Sequence, residues 1–138
     1  MKKNKLEIIF TPLLVGLFLS ITIVSKSNIT SIIPSGIFPV VWTILYLLMG
    51  VSSYMIYRED KEIPKIYFIQ LVFNYLWIII FFFLNKYILS FIWIIILIIL
   101  VIKMIKEFYQ INKVSGYLQI PYLVWLTVAA YLNLIIIL

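Results

Sequence analysis

Three short stretches of an otherwise aliphatic chain carry side chains that can stack, form hydrogen bonds or give up an electron. In V-V-W-T-I-L-Y, Trp42 and Tyr46 stand four residues apart, with Gly50 and Ser53 further along the same helical face. In Q-L-V-F-N-Y-L-W-I-I-I-F, Gln70, Asn74, Trp77 and Phe81 follow one another at i, i+4, i+7 and i+11. In P-Y-L-V-W-L-T-V-A-A-Y-L-N, Tyr122, Trp125, Ala129, Leu132 and Asn133 repeat the pattern. Two readings are open on spacing alone. The aromatic faces and amides could line a pocket, or the amides could bond helix to helix for about 0.6 to 2 kcal/mol each while Trp and Tyr sit at the headgroups.

Other chemistry is scarce. The chain has no Cys and no His, which removes the usual ligands of zinc and copper, the common axial ligands of haem, thiol redox chemistry and the usual general base. The acids Glu7, Glu59, Asp60, Glu62 and Glu107 sit at the ends of apolar runs, so none is placed to relay protons or hold a cation at mid-bilayer. There is no nucleophile paired with a base, no metal cluster and no nucleotide-binding loop. Indole chemistry is what remains for catalysis.

The elements that position these residues must be membrane helices. Hydrophobic residues make up 65% of the chain, charged residues 12%, and the mean hydropathy is +1.18, far outside the soluble range. A bilayer core of about 30 Å needs roughly 20 apolar residues per crossing. The 138 residues therefore suit five helices in a single all-α, polytopic membrane domain. The predicted spans are 8–25, 38–57, 66–85, 87–108 and 117–138. The first begins like a signal peptide, with Lys2, Lys3 and Lys5, but continues to Val24 with no A-x-A site and reads as a retained helix.

Five crossings put Lys2, Lys3, Lys5, Arg58, Lys61, Lys65, Lys103, Lys106 and Lys113 on or towards one side and leave Lys26 and Lys86 on the other. The positive-inside bias then makes the amino terminus cytoplasmic and suits a plasma membrane. The +6 net charge is a topology signal, not a nucleic-acid surface, since the basic residues are spread over loop ends beside lipid.

The fourth run is nearly pure Ile and Leu and reads as a lipid-facing or packing helix, with Trp93 in it for packing alone. Trp77 falls near mid-bilayer, too deep for a headgroup belt. If residue 117 begins the last helix, Trp42 and Trp125 stand at different depths, and a pocket shared by them would be tall, as for a large flat ligand running down the bundle. Gly16-x-x-x-Ser20 is a small-residue pair that permits close helix contact.

At these residues the chain resembles the tryptophan-rich sensory protein family, bacterial relatives of the mitochondrial translocator protein or peripheral benzodiazepine receptor. The segments Pro34–Gly50, Gln70–Phe82 and Pro121–Asn133, in order and on separate spans, carry the likeness. The resemblance implies a five-helix bundle, often a homodimer, that binds protoporphyrin IX or related tetrapyrroles in a pocket closed by the loop between the first two helices. It places Trp42, Tyr46, Asn74, Trp77, Phe81, Trp125, Ala129 and Leu132 at ligand-binding positions. It also makes Trp42 and Trp125 the residues of a light-dependent oxidative breakdown of bound porphyrin.

The loop departs from the family pattern: Ile33, Pro34 and Ser35 stand where two prolines and a glycine are usual, and SNITSI replaces a Trp and a Lys-Pro. No Lys or Arg follows Tyr131, so sterol recognition is not supported. Without His or Cys, a metal-free porphyrin is a better guest than haem, and no metal or further cofactor is required. The competing expectation is a small transporter, transporter subunit or scaffold with no reaction of its own, in which the three aromatic faces pack against one another.

Overall fold

The computed structural model describes residues 10–12, 14–16, 18, 37–60 and 62–138. The expectations for Lys2, Lys3, Lys5, Ser20, Lys26, Lys61 and the 26–36 loop lie outside the described residues. The described residues are helical throughout apart from short connections, with no strand among them. We label the helical residues at 10–12, 14–16 and 18 α1; α2 is Ile37–Asp60, α3 Lys65–Ile78, α4 Tyr87–Ile111, α5 Lys113–Leu118 and α6 Ile120–Ile137. The architecture is the expected all-α membrane bundle of five helical rods, with α5 and α6 forming the last.

Val40–Glu59, Tyr87–Ile111 and Lys113–Ile137 are each long and apolar enough to cross a bilayer, and Lys65–Phe81 is a shorter apolar helix. Pro39 falls in the first turn of α2 and Pro121 in that of α6, where the missing N–H leaves no helical bond unmade. In α4 the buried residues Ser90, Ile94, Leu97, Val101, Met104 and Phe108 recur at alternating steps of four and three, a seam against its neighbours. Ile88, Ile92, Ile95, Ile99 and Ile102 are exposed on the other side, where the solvent is lipid. The helix thus does both jobs expected of it.

Two features were not in the sequence reading. The π-helical turn Ile79–Phe83 ends the third rod, and Asn85 then takes a positive φ of 56°. Asn tolerates that left-handed conformation better than most residues and lets the chain reverse into α4. The last rod also begins at Lys113 and not at residue 117. The Asn112 side chain caps it by accepting a bond from the Ser115 N–H at 3.1 Å. Gly116 is required there, because a Cβ would lie 2.9 Å from the Tyr109 Cα on α4. Pro121 cannot donate to the preceding turn, and the rod is interrupted at Gln119 between α5 and α6.

Candidate functional site

The three polar and aromatic faces meet. The Trp42 ring stacks on Tyr46 with centroids 5.4 Å apart and planes 25° from parallel. It lies 6.4 Å from Trp77, 6.4 Å from Tyr122 and 6.3 Å from Trp125. Trp77 in turn stacks on Phe81 at 5.0 Å. One cluster therefore joins α2, α3, the π turn and α6. Trp42, Tyr46, Asn74, Trp77, Phe81 and Ala129 are buried, while Trp125 and Leu132 are partly buried against the same core.

The expected difference in depth between Trp42 and Trp125 is corrected by this contact. Asn112 donates to Glu59 Oε1 at 2.6 Å, which sets the end of the last rod level with the end of α2. From that end Trp42 is about 26 Å along α2 and Trp125 about 20 Å along the last rod, at 1.5 Å per residue. That gap lies within reach of two indoles. Counting from residue 117 left out the turn that α5 contributes.

Below the rings runs a one-way chain of hydrogen bonds. The Tyr46 hydroxyl donates to Asn74 Oδ1 at 2.5 Å, Asn74 Nδ2 to the Tyr122 hydroxyl at 2.9 Å, and that hydroxyl to Gln70 Oε1 at 2.8 Å. Gln70 Nε2 ends it on Met49 Sδ at 3.9 Å. Lipid offers no partner to these groups, so each must find one inside the bundle. Both ends of the Asn74 amide are engaged by tyrosines. Gln70 and Tyr122, which the resemblance leaves out of the ligand set, are the middle of this chain.

A second polar group holds the other side of the cluster. Trp77 Nε1 donates to Asn133 Oδ1 at 3.4 Å, the Ser90 hydroxyl donates to the same oxygen at 2.8 Å, and Asn133 Nδ2 donates to the Tyr87 carbonyl at 2.9 Å. Trp93 has a structural role beyond simple packing. Its N–H donates to the Phe73 carbonyl at 3.0 Å and its ring stacks on Phe73 at 4.7 Å, which ties α4 to α3.

The Trp42 indole N–H differs from these: it is buried and has no hydrogen-bond partner among the described residues. Its ring is held by its neighbours, whereas Trp125 keeps part of its surface open. Tyr46 is also pinned from outside. A Cβ on Gly16 would overlap the Tyr46 ring, so the first residue of the small-residue pair makes the close contact that was expected. The Tyr75 hydroxyl, beside Tyr46 at a ring distance of 5.8 Å, donates to the Pro12 carbonyl at 3.0 Å.

Comparison with known proteins shows what the chain is similar to. The model of the TspO/MBR family matches residues 8–138. "Tryptophan-rich protein TspO" of Archaeoglobus fulgidus is 37% identical over 104 residues, which cover 72% of this chain and 67% of that protein. "Tryptophan-rich sensory protein" of Cereibacter sphaeroides is 30% identical over 102 residues, 72% of this chain and 65% of its own length. "Translocator protein homolog" of Schizosaccharomyces pombe is 34% identical over 109 residues, 73% and 66% of the two chains. The chain thus spans about two thirds of the length of these relatives. With its motifs on three helices, its aromatic cluster and a match over nearly its whole length, this membrane protein belongs to the TspO/MBR family.

Proposed function

We propose that the protein binds a flat tetrapyrrole such as protoporphyrin IX at the Trp42–Trp125 contact. The observation that carries this reading is the buried N–H of Trp42, which has no hydrogen-bond partner among the described residues and lies beside the partly exposed ring of Trp125. Carbon surfaces pack at about 3.5 Å, so a planar guest between two indoles needs them about 7 Å apart and roughly parallel. Trp42 and Trp125 stand 6.3 Å apart at 88°. Binding therefore requires Trp125, the less buried of the two, to turn. The guest's ring nitrogens or carboxylates are suitable acceptors for the Trp42 N–H. Tyr46, Asn74, Trp77, Phe81, Ala129 and Leu132 form the floor and sides.

A bound porphyrin supplies visible-light absorption and a photo-excited ring. Trp42 and Trp125 are the oxidisable side chains placed to exchange electrons with it or to react with oxidised species beside it, with dioxygen as the oxidant. Illumination with protoporphyrin IX, followed through the Soret band, tests this step. Equal bleaching by the wild type and by Trp42→Phe/Trp125→Phe removes the enzymatic role.

A second reading, a transporter subunit or scaffold without chemistry, is favoured by the ring-on-ring packing and by the Asn74 amide, both ends of which already have partners. Quenching of Trp fluorescence by added porphyrin separates the two. We further place the chain in the plasma membrane with its amino terminus cytoplasmic. Arg58, Lys65, Lys106 and Lys113 lie near the end marked by Glu59 and Asn112, and Lys86 lies at the opposite end. The family resemblance adds a homodimer.

A further inference from the structure

One turn from the Tyr122–Gln70 hydrogen bond, towards the Glu59–Asn112 end, the core holds polar groups that no described residue satisfies. Gln119 is fully buried, and neither its amide nitrogen nor its amide oxygen has a hydrogen-bond partner among the described residues. The buried hydroxyl of Tyr67 lies beside Ser53 and has no hydrogen-bond partner among the described residues. Register brings the two residues to one level. Gln119 precedes Tyr122 by three residues on the last rod, Tyr67 precedes Gln70 by three on α3, and Tyr122 and Gln70 are bonded at 2.8 Å.

The layer is closed on the far side as well. The Ser52 hydroxyl donates to the Ser115 carbonyl at 2.8 Å and the Ser115 hydroxyl to the Ser52 carbonyl at 3.0 Å, a reciprocal clamp one turn further along. The Ser53 hydroxyl donates to the Gly50 carbonyl at 2.9 Å and keeps its lone pairs for another donor.

Buried polar atoms without partners are rare in proteins and costly in a bilayer, where lipid cannot stand in for them. The groups at this level offer both donors and acceptors and no charge, and the described residues contain no cluster of acids that could hold a metal ion. That chemistry selects a small neutral molecule able to donate and accept at once. We propose that Gln119, Tyr67 and Ser53 hold ordered water in the core, which extends the chain from Tyr46 through Asn74, Tyr122 and Gln70 towards the Ser52–Ser115 clamp. The site is independent of any porphyrin. It would make the bundle wet along one path beneath the aromatic cluster.

Hydroxyl-radical footprinting by X-ray radiolysis tests this on the ligand-free, detergent-solubilised full chain, because radicals born from bound water label the side chains that touch it. Tyr46, equally buried but bonded to Asn74, is the internal control. The proposal expects Tyr67 to be labelled several-fold faster than Tyr46, and Gln119→Leu to bring it down to the Tyr46 rate. Wild-type labelling of Tyr67 no faster than that of Tyr46 would overturn it, as would labelling that Gln119→Leu leaves unchanged. Should Gln119→Leu fail to fold, the wild-type comparison decides alone.

Discussion

Trp125 meets Trp42 edge-on, ring centroids 6.3 Å apart and planes at 88°. The contact joins the start of α2 to the last rod and brings one indole from each together inside the bundle. The proposed tetrapyrrole site depends on what that pair can do, and the groups around it decide how far each ring can move. Trp42 is fixed by Tyr46, Trp77 and Tyr122, and Tyr46 is fixed by Asn74 and by the absence of a side chain at Gly16.

Asn74→Leu leaves the Tyr46 hydroxyl without its acceptor and removes one donor to Tyr122, while Tyr122 keeps Gln70. A loss of about 1–3 kcal/mol is expected from stranding a buried hydroxyl. Tyr46→Phe in the same background should recover part of it. Thermal unfolding in detergent, run as a double-mutant cycle, should give a coupling of about 0.6 to 2 kcal/mol between the two residues.

Gly16→Ala drives a methyl group into the Tyr46 ring. Overpacking of this kind typically costs about 1–3 kcal/mol. The ring must swing to accommodate it, so the bond to Asn74 weakens and porphyrin affinity falls together with the melting temperature. Unchanged Tm and affinity would show that α1 gives way instead.

Gly116→Ala places a Cβ 2.9 Å from both the Cα and the Cβ of Tyr109. The α4–α5 corner must open, at a similar cost of about 1–3 kcal/mol. The Ser52–Ser115 clamp should loosen with it. Faster hydrogen exchange across Asn112–Leu118, with little change in α4, is the expected signature.

Trp93→Phe removes the bond to the Phe73 carbonyl but keeps an aromatic ring against Phe73. A loss of about 0.5–1.5 kcal/mol is expected. Porphyrin affinity should stay at the wild-type value, because Trp93 lies outside the Trp42 cluster.

The sequence was most readable where polar residues recur in an apolar run. Gln70 and Asn74 cannot face hydrocarbon, so their period alone turned α3 inward and brought Trp77 and Phe81 with them. The Ile-rich run gave α4 its existence but not its register, since lipid-facing and core-facing Ile look alike in one dimension. Trp93 was obscure for that reason. Residues 113–116 looked like a loop because Lys, Ser and Gly are poor span formers. The Asn112 cap and the three-residue step to Ser115 were the available signal, and reading them would have placed Trp125 at the depth of Trp42. The π turn left no sequence mark, since its Ile and Phe residues continue the apolar run of α3. Partner choice was also hidden: spacing showed which amides turn inward, but not that Asn74 bridges two tyrosines from different helices.

The most direct test of a guest between Trp42 and Trp125 is a titration of protoporphyrin IX into the full chain in detergent, with Trp fluorescence as the readout. It is repeated with Trp42→Phe, Trp125→Phe and Trp93→Phe. Saturable quenching in the wild type and in Trp93→Phe, with affinity at least tenfold weaker in Trp42→Phe and Trp125→Phe, is the predicted result. Equal affinity in all four proteins, or quenching that never saturates, would contradict a binding site at that pair.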